Sequence, residues 1–162
     1  MYRWILLLHI LSAFVFTLTH GASTKVIFQL RKEKEPARMA ALLDLSSSQL
    51  GLLYISLLVM LASGIGLTYL GNWWRSIWVW VSLGLLVLMV PAMYAMATLP
   101  FNRVRKALGL PYFEKNKPHP AGDPATPEEI TASIDSLKPW LITFLGYGGL
   151  ALVLFLMVIK PF

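Results

Sequence analysis

The chain has 162 residues, of which 57% are apolar and only 14% charged, and its mean hydropathy is +0.64. A soluble domain carries roughly 25% charged residues, so this is a membrane composition, with room for one four-helix bundle. The absence of cysteine excludes disulfides, zinc–thiolate sites, covalent c-type haem and thiolate-held iron–sulfur clusters, and the net charge of +6 implies no nucleic-acid partner, because the basic residues flank apolar runs.

Apolar runs place four spans at about residues 4–30, 47–70, 76–99 and 139–159, each near the ~20 residues a spanning helix needs. They predict a single all-α domain, residues 1–162, built as an integral membrane four-helix bundle. Loops at about residues 31–46 and 100–138 are expected to carry short interfacial helices. In the first span Arg3 precedes an apolar run, as in a signal peptide. The apolar pattern continues past Gly21-Ala22-Ser23 into Val26-Ile27-Phe28, which predicts a retained helix. Trp4 and Lys25 are its expected interface anchors.

This span carries two histidines, His9 and His20. An ionisable group inside a span costs at least ~2.5–3.5 kcal/mol by insertion scales and turns toward protein or water. The two are eleven residues apart, which is three turns plus about 20°, or about 16 Å along the axis. They therefore share one face with Ser12, Phe16, Ser23 and Ile27.

The first loop mixes Arg31, Lys32, Glu33, Lys34 and Glu35 before Pro36. Residues 37–45 predict a short interfacial helix, and Ser46-Ser47-Ser48-Gln49 has the capping-box spacing for the start of the second span. Within that span Ala62 and Gly66 form a small-xxx-small pair suited to close helix approach. The connection Gly71-Asn72-Trp73-Trp74-Arg75 is short enough to make spans two and three antiparallel neighbours. Trp73, Trp74, Trp78 and Trp80 read as an aromatic belt.

In the third span Pro91 predicts a kink or an opened hydrogen-bond ladder. Ser82, Leu85, Met89, Met93 and Met96 fall near one face, as adaptable packing or, for a thioether, as an axial ligand. The third loop starts with Arg103, Arg105 and Lys106, and its prolines predict an extended, irregular course. His119 reads as a solvated loop histidine. Thr126-Pro127-Glu128-Glu129 is a strong helix start. The following turns align Ile130, Ile134 and Leu137 toward the membrane surface or a partner. Gly146-Tyr147-Gly148-Gly149 is the close-packing patch of the last span, where the Tyr147 hydroxyl needs a partner. Lys160-Pro161-Phe162 is expected at the far interface.

Every Asp and Glu lies in the first and third loops, which argues against a proton pump or ion-coupled carrier, and no histidine–carboxylate pair accompanies a serine within the spans, which argues against a hydrolase. Eleven of the Lys and Arg residues lie on the side of those loops, and Arg3, Arg75 and Lys160 lie on the other. The positive-inside rule then predicts cytoplasmic long loops and both termini outside, in the cell membrane.

The histidines are the candidate chemistry. Imidazole is an axial haem ligand and a common metal ligand, so His9 and His20 are candidate axial ligands for haem b or a chlorophyll-type pigment. Met89 and Met93 are weaker candidates to complete a His/Met pair. Bis-histidine ligation lacks a facing histidine. A copper site of His and Met is a further option. Equally, both histidines can hydrogen-bond a neighbouring helix, at a serine or a carbonyl, as interhelical glue.

Leu8-His9-Ile10-Leu11-Ser12-Ala13, with Ser63-Gly64-Ile65-Gly66 and Asn102-Arg103-Val104-Arg105, resembles a family of small predicted integral membrane proteins of unknown function whose first span carries an LHILSA-type motif. More distantly it is similar to the copper-resistance D membrane domain. The resemblance covers about residues 4–106 and implies a membrane protein with a functional histidine. The expected role is a non-enzymatic subunit in the lipid bilayer, accessory to other membrane subunits of an electron-transfer or photosynthetic complex; the alternative is a b-type haem or copper-binding protein using the first-span histidines.

Overall fold

A computed structural model describes residues 1–115 and 117–161; Asn116, in the third loop, and Phe162, expected at the far interface, lie outside the described residues. The elements are α1 (Tyr2–Leu30), α2 (Pro36–Leu70), α3 (Ile77–Met93), a π turn (Tyr94–Thr98), α4 (Leu99–Ala107), the antiparallel strands β1 (Tyr112–Glu114) and β2 (Lys117–His119), α5 (Pro127–Asp135) and α6 (Pro139–Ile159). Four helical stretches are long and apolar enough to cross a membrane, so the chain is an all-α four-helix bundle and a multi-pass membrane protein. Many apolar side chains of the spans are exposed, among them Leu18, Leu58, Val87, Phe144 and Val158. In water these would form a large exposed apolar surface; in a bilayer they meet lipid.

The boundary between loop and span moves at three places. Residues 37–45 do not form a separate interfacial helix: they are the first turns of α2, which starts at Pro36, a proline at N1, after Glu35. The capping box at Ser46 is not formed. Ser46 is buried mid-helix, and the Ser47 and Ser48 hydroxyls donate to the carbonyls of Leu43 and Leu45, 2.9 and 2.8 Å away, the back-bonding that lets serine stay in a helix. At ~1.5 Å per residue α2 is about 52 Å long and outruns a hydrocarbon layer of about 30 Å. The first loop shrinks to a tight turn, where Glu33 Oε1 accepts from the N–H groups of Lys34 and Glu35 at 2.9 and 3.1 Å; these bonds hold its carboxyl below the ordinary glutamate range.

The third span also continues beyond its expected end, to Ala107. Pro91 is carried inside α3, and the ladder opens just after it. Leu99 N–H bonds the Tyr94 carbonyl five residues back, a π turn of the kind that absorbs a disrupted ladder, here lying between Pro91 and Pro100.

Much of the third loop is extended, as expected, but its described residues also form a short strand pair and bonds that tie it to the end of α4. Strands β1 and β2 form a hairpin in which Tyr112 stacks on His119 at 4.9 Å. Asn102 Oδ1 accepts from Phe113 N–H at 3.0 Å. The chain after the hairpin is latched by Gly122 N–H to Gly109 O (3.1 Å) and Ala125 N–H to Ala107 O (2.8 Å). Gly109 has φ +68, and a Cβ there would lie 2.5 Å from Gly122 O. Gly109→Ala is therefore expected to cost about 1–2 kcal/mol and to free this latch, seen as faster limited proteolysis within residues 110–125.

Helix α5 has the expected start: Thr126 Oγ1 accepts from Glu129 N–H, and Glu129 reciprocates to Thr126 N–H. Its apolar side faces inward, not toward the membrane surface or a partner. Ile134 and Leu137 join Ile27, Leu30, Met39, Leu43, Val104, Leu108 and Ile142 in the main core, at the loop end of the bundle. Arg105 closes that end, with Nη1 2.8 Å from Asp44 Oδ1 and Nε donating to Pro111 O at 2.6 Å.

Around the bundle, α2 packs chiefly on α1, α3 chiefly on α6, and α1 and α6 also meet. Despite their short connection, the backbones of α2 and α3 scarcely approach each other, contrary to the expectation of close neighbours. Side chains span the gap instead: Met60 of α2, Leu86 of α3 and Val153 of α6 form a second small core. The turn between α2 and α3 is filled by tryptophans, with Trp73 against Trp78 (5.6 Å), Trp74 against Trp80 (6.1 Å) and Tyr2 edge-on to Trp73 (6.3 Å).

Candidate functional site

The face of α1 that spacing brings together is the face turned into the bundle. Ser12, His20 and Ile27 are buried, and His9, Phe16 and Ser23 are partly buried. Several hydroxyls here are consumed locally: Ser12 donates to His9 O (2.8 Å) and Thr24 to His20 O (2.9 Å). That leaves the two imidazoles and the Ser23 hydroxyl, which is buried without a hydrogen-bond partner, as the polar groups of this face not satisfied by the carbonyls of α1.

His9 meets α2. Its Nδ1–H donates to the Met60 carbonyl at 2.9 Å and lies 3.1 Å from Ser63 Oγ. Ser63 in turn donates back to Val59 O at 2.6 Å. A carbonyl only accepts, so Nδ1 carries the hydrogen and Nε2 of the neutral ring is an acceptor. The ring fits because Gly64 has no side chain: a Cβ there would stand 3.1 Å from His9 Cε1. Gly64 and Ser63 therefore make the close approach, while Ala62 of the expected small-xxx-small pair is exposed and Gly66 rests on Ile5.

His20 meets α6. Its Nε2 sits in the notch left by Gly146, where a Cβ would collide with the ring. The ring stacks on Phe16 (6.2 Å, 5°) and stands edge-on to Tyr147 (5.5 Å, 70°). His20 Nε2 is buried without a hydrogen-bond partner. The Tyr147 hydroxyl lies over Gly21, 2.7 Å from where a Cβ would be. One turn further along α6, Met89 fills the notch at Gly149. Met93 packs against the loop-end core. The four candidate residues are thus dispersed: His9 against α2, His20 and Met89 in successive notches of α6, and Met93 at the loop end. Among the described residues no group of three or more His, Asp or Glu is placed to hold a metal ion.

Where α2 and α3 stand apart, a cavity of about 200 Å³ opens beneath the tryptophan turn. His9 of α1, Met60 and Gly64 of α2, Ser82 of α3 and Met157 of α6 line it, and Trp73, Trp78 and Lys160 stand among the residues at its rim. Lys160 Nζ lies 4.0 Å from the Trp73 ring centroid and 5.4 Å from that of Trp78. Ser82 is only 2% exposed, and its Oγ has no hydrogen-bond partner. Sequence reasoning placed Ser82 only on a face of methionines and missed Met60 and Met157 here. The signal that would have found them is a long-range one, since it needs the pairing of α1 with α2 and of α3 with α6.

Comparison of the chain with protein-family models, curated proteins and solved structures finds no match.

Proposed function

We propose that the chain is a non-enzymatic four-helix subunit of the cytoplasmic membrane, an accessory part of a larger electron-transfer or photosynthetic assembly. The observation that carries this reading is the use of both span histidines as helix contacts: His9 on the Met60 carbonyl and His20 in the Gly146 notch. The His9 contact is an interhelical hydrogen bond, a type that averages about 0.6 kcal/mol, and the His20 contact is one of packing. The predicted apolar runs carry no Asp or Glu, and Asp44, in the first turns of α2, is paired with Arg105 at the loop end, which supports a role without proton or ion transport. The excess of basic residues on the side of the long loops supports cytoplasmic loops and both termini outside. The LHILSA-type resemblance supports a small membrane protein and names no substrate.

The alternative is a b-type haem or copper protein. It is favoured by one feature: a backbone carbonyl fixes the tautomer of His9, as it does for many ligating histidines, and leaves Nε2 as the donor atom. The cavity of about 200 Å³ is smaller than ordinary ligand pockets, which favours an ion over a tetrapyrrole. An ion between His9 and the Met60 or Met157 thioether is the form this alternative takes.

The test is the absorption spectrum and metal content of the purified protein, beside His9→Ala and His20→Ala. A colourless, metal-free, folded wild type that co-purifies with other membrane proteins is the expected result. A stoichiometric chromophore or metal lost in one variant overturns the accessory reading and identifies the ligand.

A further inference from the structure

We propose that the cavity between α1, α2, α3 and α6 binds a single aromatic ring carrying a hydroxyl group, a phenol or a hydroquinone, whose hydroxyl is read by His9 and Ser82. Size sets the first limit. An apolar cavity of 150 Å³ in another protein admits benzene, and about 200 Å³ admits one substituted ring. The walls are mostly aliphatic, thioether and indole side chains, which favour a flat apolar body.

The polar groups set the second limit. Nδ1 of His9 is committed as a donor to Met60 O, so Nε2 offers a lone pair and calls for a ligand that supplies a hydrogen. Ser82 differs from the buried serines Ser12, Ser56 and Ser63. Each of those donates to a carbonyl three or four residues back, whereas Ser82 Oγ is buried and unpartnered. Leaving such a group unsatisfied is costly. An aromatic O–H both donates to His9 and accepts from Ser82, which a ketone or an ether does not.

Charge sets the third limit. Among the lining residues the one charged side chain is Lys160, already placed against Trp73 and Trp78, and no carboxylate faces it, so a cationic ligand is disfavoured and a neutral ring needs no charged partner. Water fills the cavity poorly. At about 30 Å³ each, some six waters would be needed, and each requires two or more polar partners.

The probe is 4-fluorophenol, followed by ¹⁹F NMR against the full-length protein in nanodiscs near neutral pH, with 4-fluoroanisole as the methyl ether that cannot donate. Saturable binding of the phenol is expected, about ten-fold weaker for the ether and about five-fold weaker in Ser82→Ala, on the scale of one lost hydrogen bond. Ser82→Ala removes one buried oxygen and is checked for folding by its thermal melt; if it unfolds, the phenol–ether ratio on the wild type decides alone. Displacement of the fluorophenol by 2-decylhydroquinone supplied in the bilayer identifies a membrane-borne quinol as the source, and retention identifies a free phenol. Equal binding of phenol and ether, undiminished binding in folded Ser82→Ala, or no saturable signal above empty nanodiscs overturns the proposal.

Discussion

Gly146→Ala should be among the most damaging single substitutions in the chain, at about 2–3 kcal/mol. The added methyl group falls on the His20 imidazole, and His20 has little room to retreat. It is buried, stacked on Phe16 on one side and edge-on to Tyr147 on another. Overpacking of this kind costs typically 1–3 kcal/mol, and here it would force α1 and α6 apart. His20→Ala alone should cost less, because it also removes a buried Nε2 that has no partner and would otherwise carry a desolvation penalty. Combining the two should be no worse than His20→Ala alone, giving a coupling of at least ~1 kcal/mol, which neighbours in direct contact show and distant sites do not. Gly148→Ala, where a Cβ meets nothing within 4 Å, is the control and should be near neutral. Unfolding in mixed micelles measures all four. Strictly additive effects of Gly146→Ala and His20→Ala would contradict the packing described.

Leu43→Ala should cost about 3 kcal/mol, in the range for a buried leucine truncated without collapse of its surroundings. Leu43 is fully buried, in the core that joins the first turns of α2 to the ends of α1, α4, α5 and α6. Leu45, two residues on, is 52% exposed, and Leu45→Ala should change stability by less than about 0.5 kcal/mol. The pair distinguishes two pictures of residues 37–45. A separate helix lying at the interface would lose little from either change, whereas the first turns of a rigid α2 lose heavily from one and not the other.

These two sites also mark what was legible in the chain and what was not. The His9–His20 face of α1 was legible, because both residues lie in one unbroken helix and local geometry alone puts them on one side. Pro91 was legible as a break in the ladder, but its form as a π turn between two prolines was not. The start of α2 was misplaced because Ser46-Ser47-Ser48-Gln49 has the composition of a helix cap. Ser47 and Ser48 are satisfied inside the helix by carbonyls four and three residues back, a choice composition does not reveal. The long loop read as irregular because its prolines argue against helix, and its order comes from backbone bonds to α4 that leave no local pattern.

By itself the amino-acid sequence determined that this chain enters a membrane, how many times it crosses, which face of the first span turns inward and where the charged loops lie. These follow from the high cost of exposing polar groups to lipid, which acts on each segment separately. Only the tertiary structure decided that His9 packs against α2 and His20 against α6, and that the gap between α2 and α3 becomes a cavity lined by His9 and Ser82. Lipid is as apolar as the helix surfaces, so hydrophobicity does not choose which spans pair; the shapes of small residues at Gly64, Gly146 and Gly149 do.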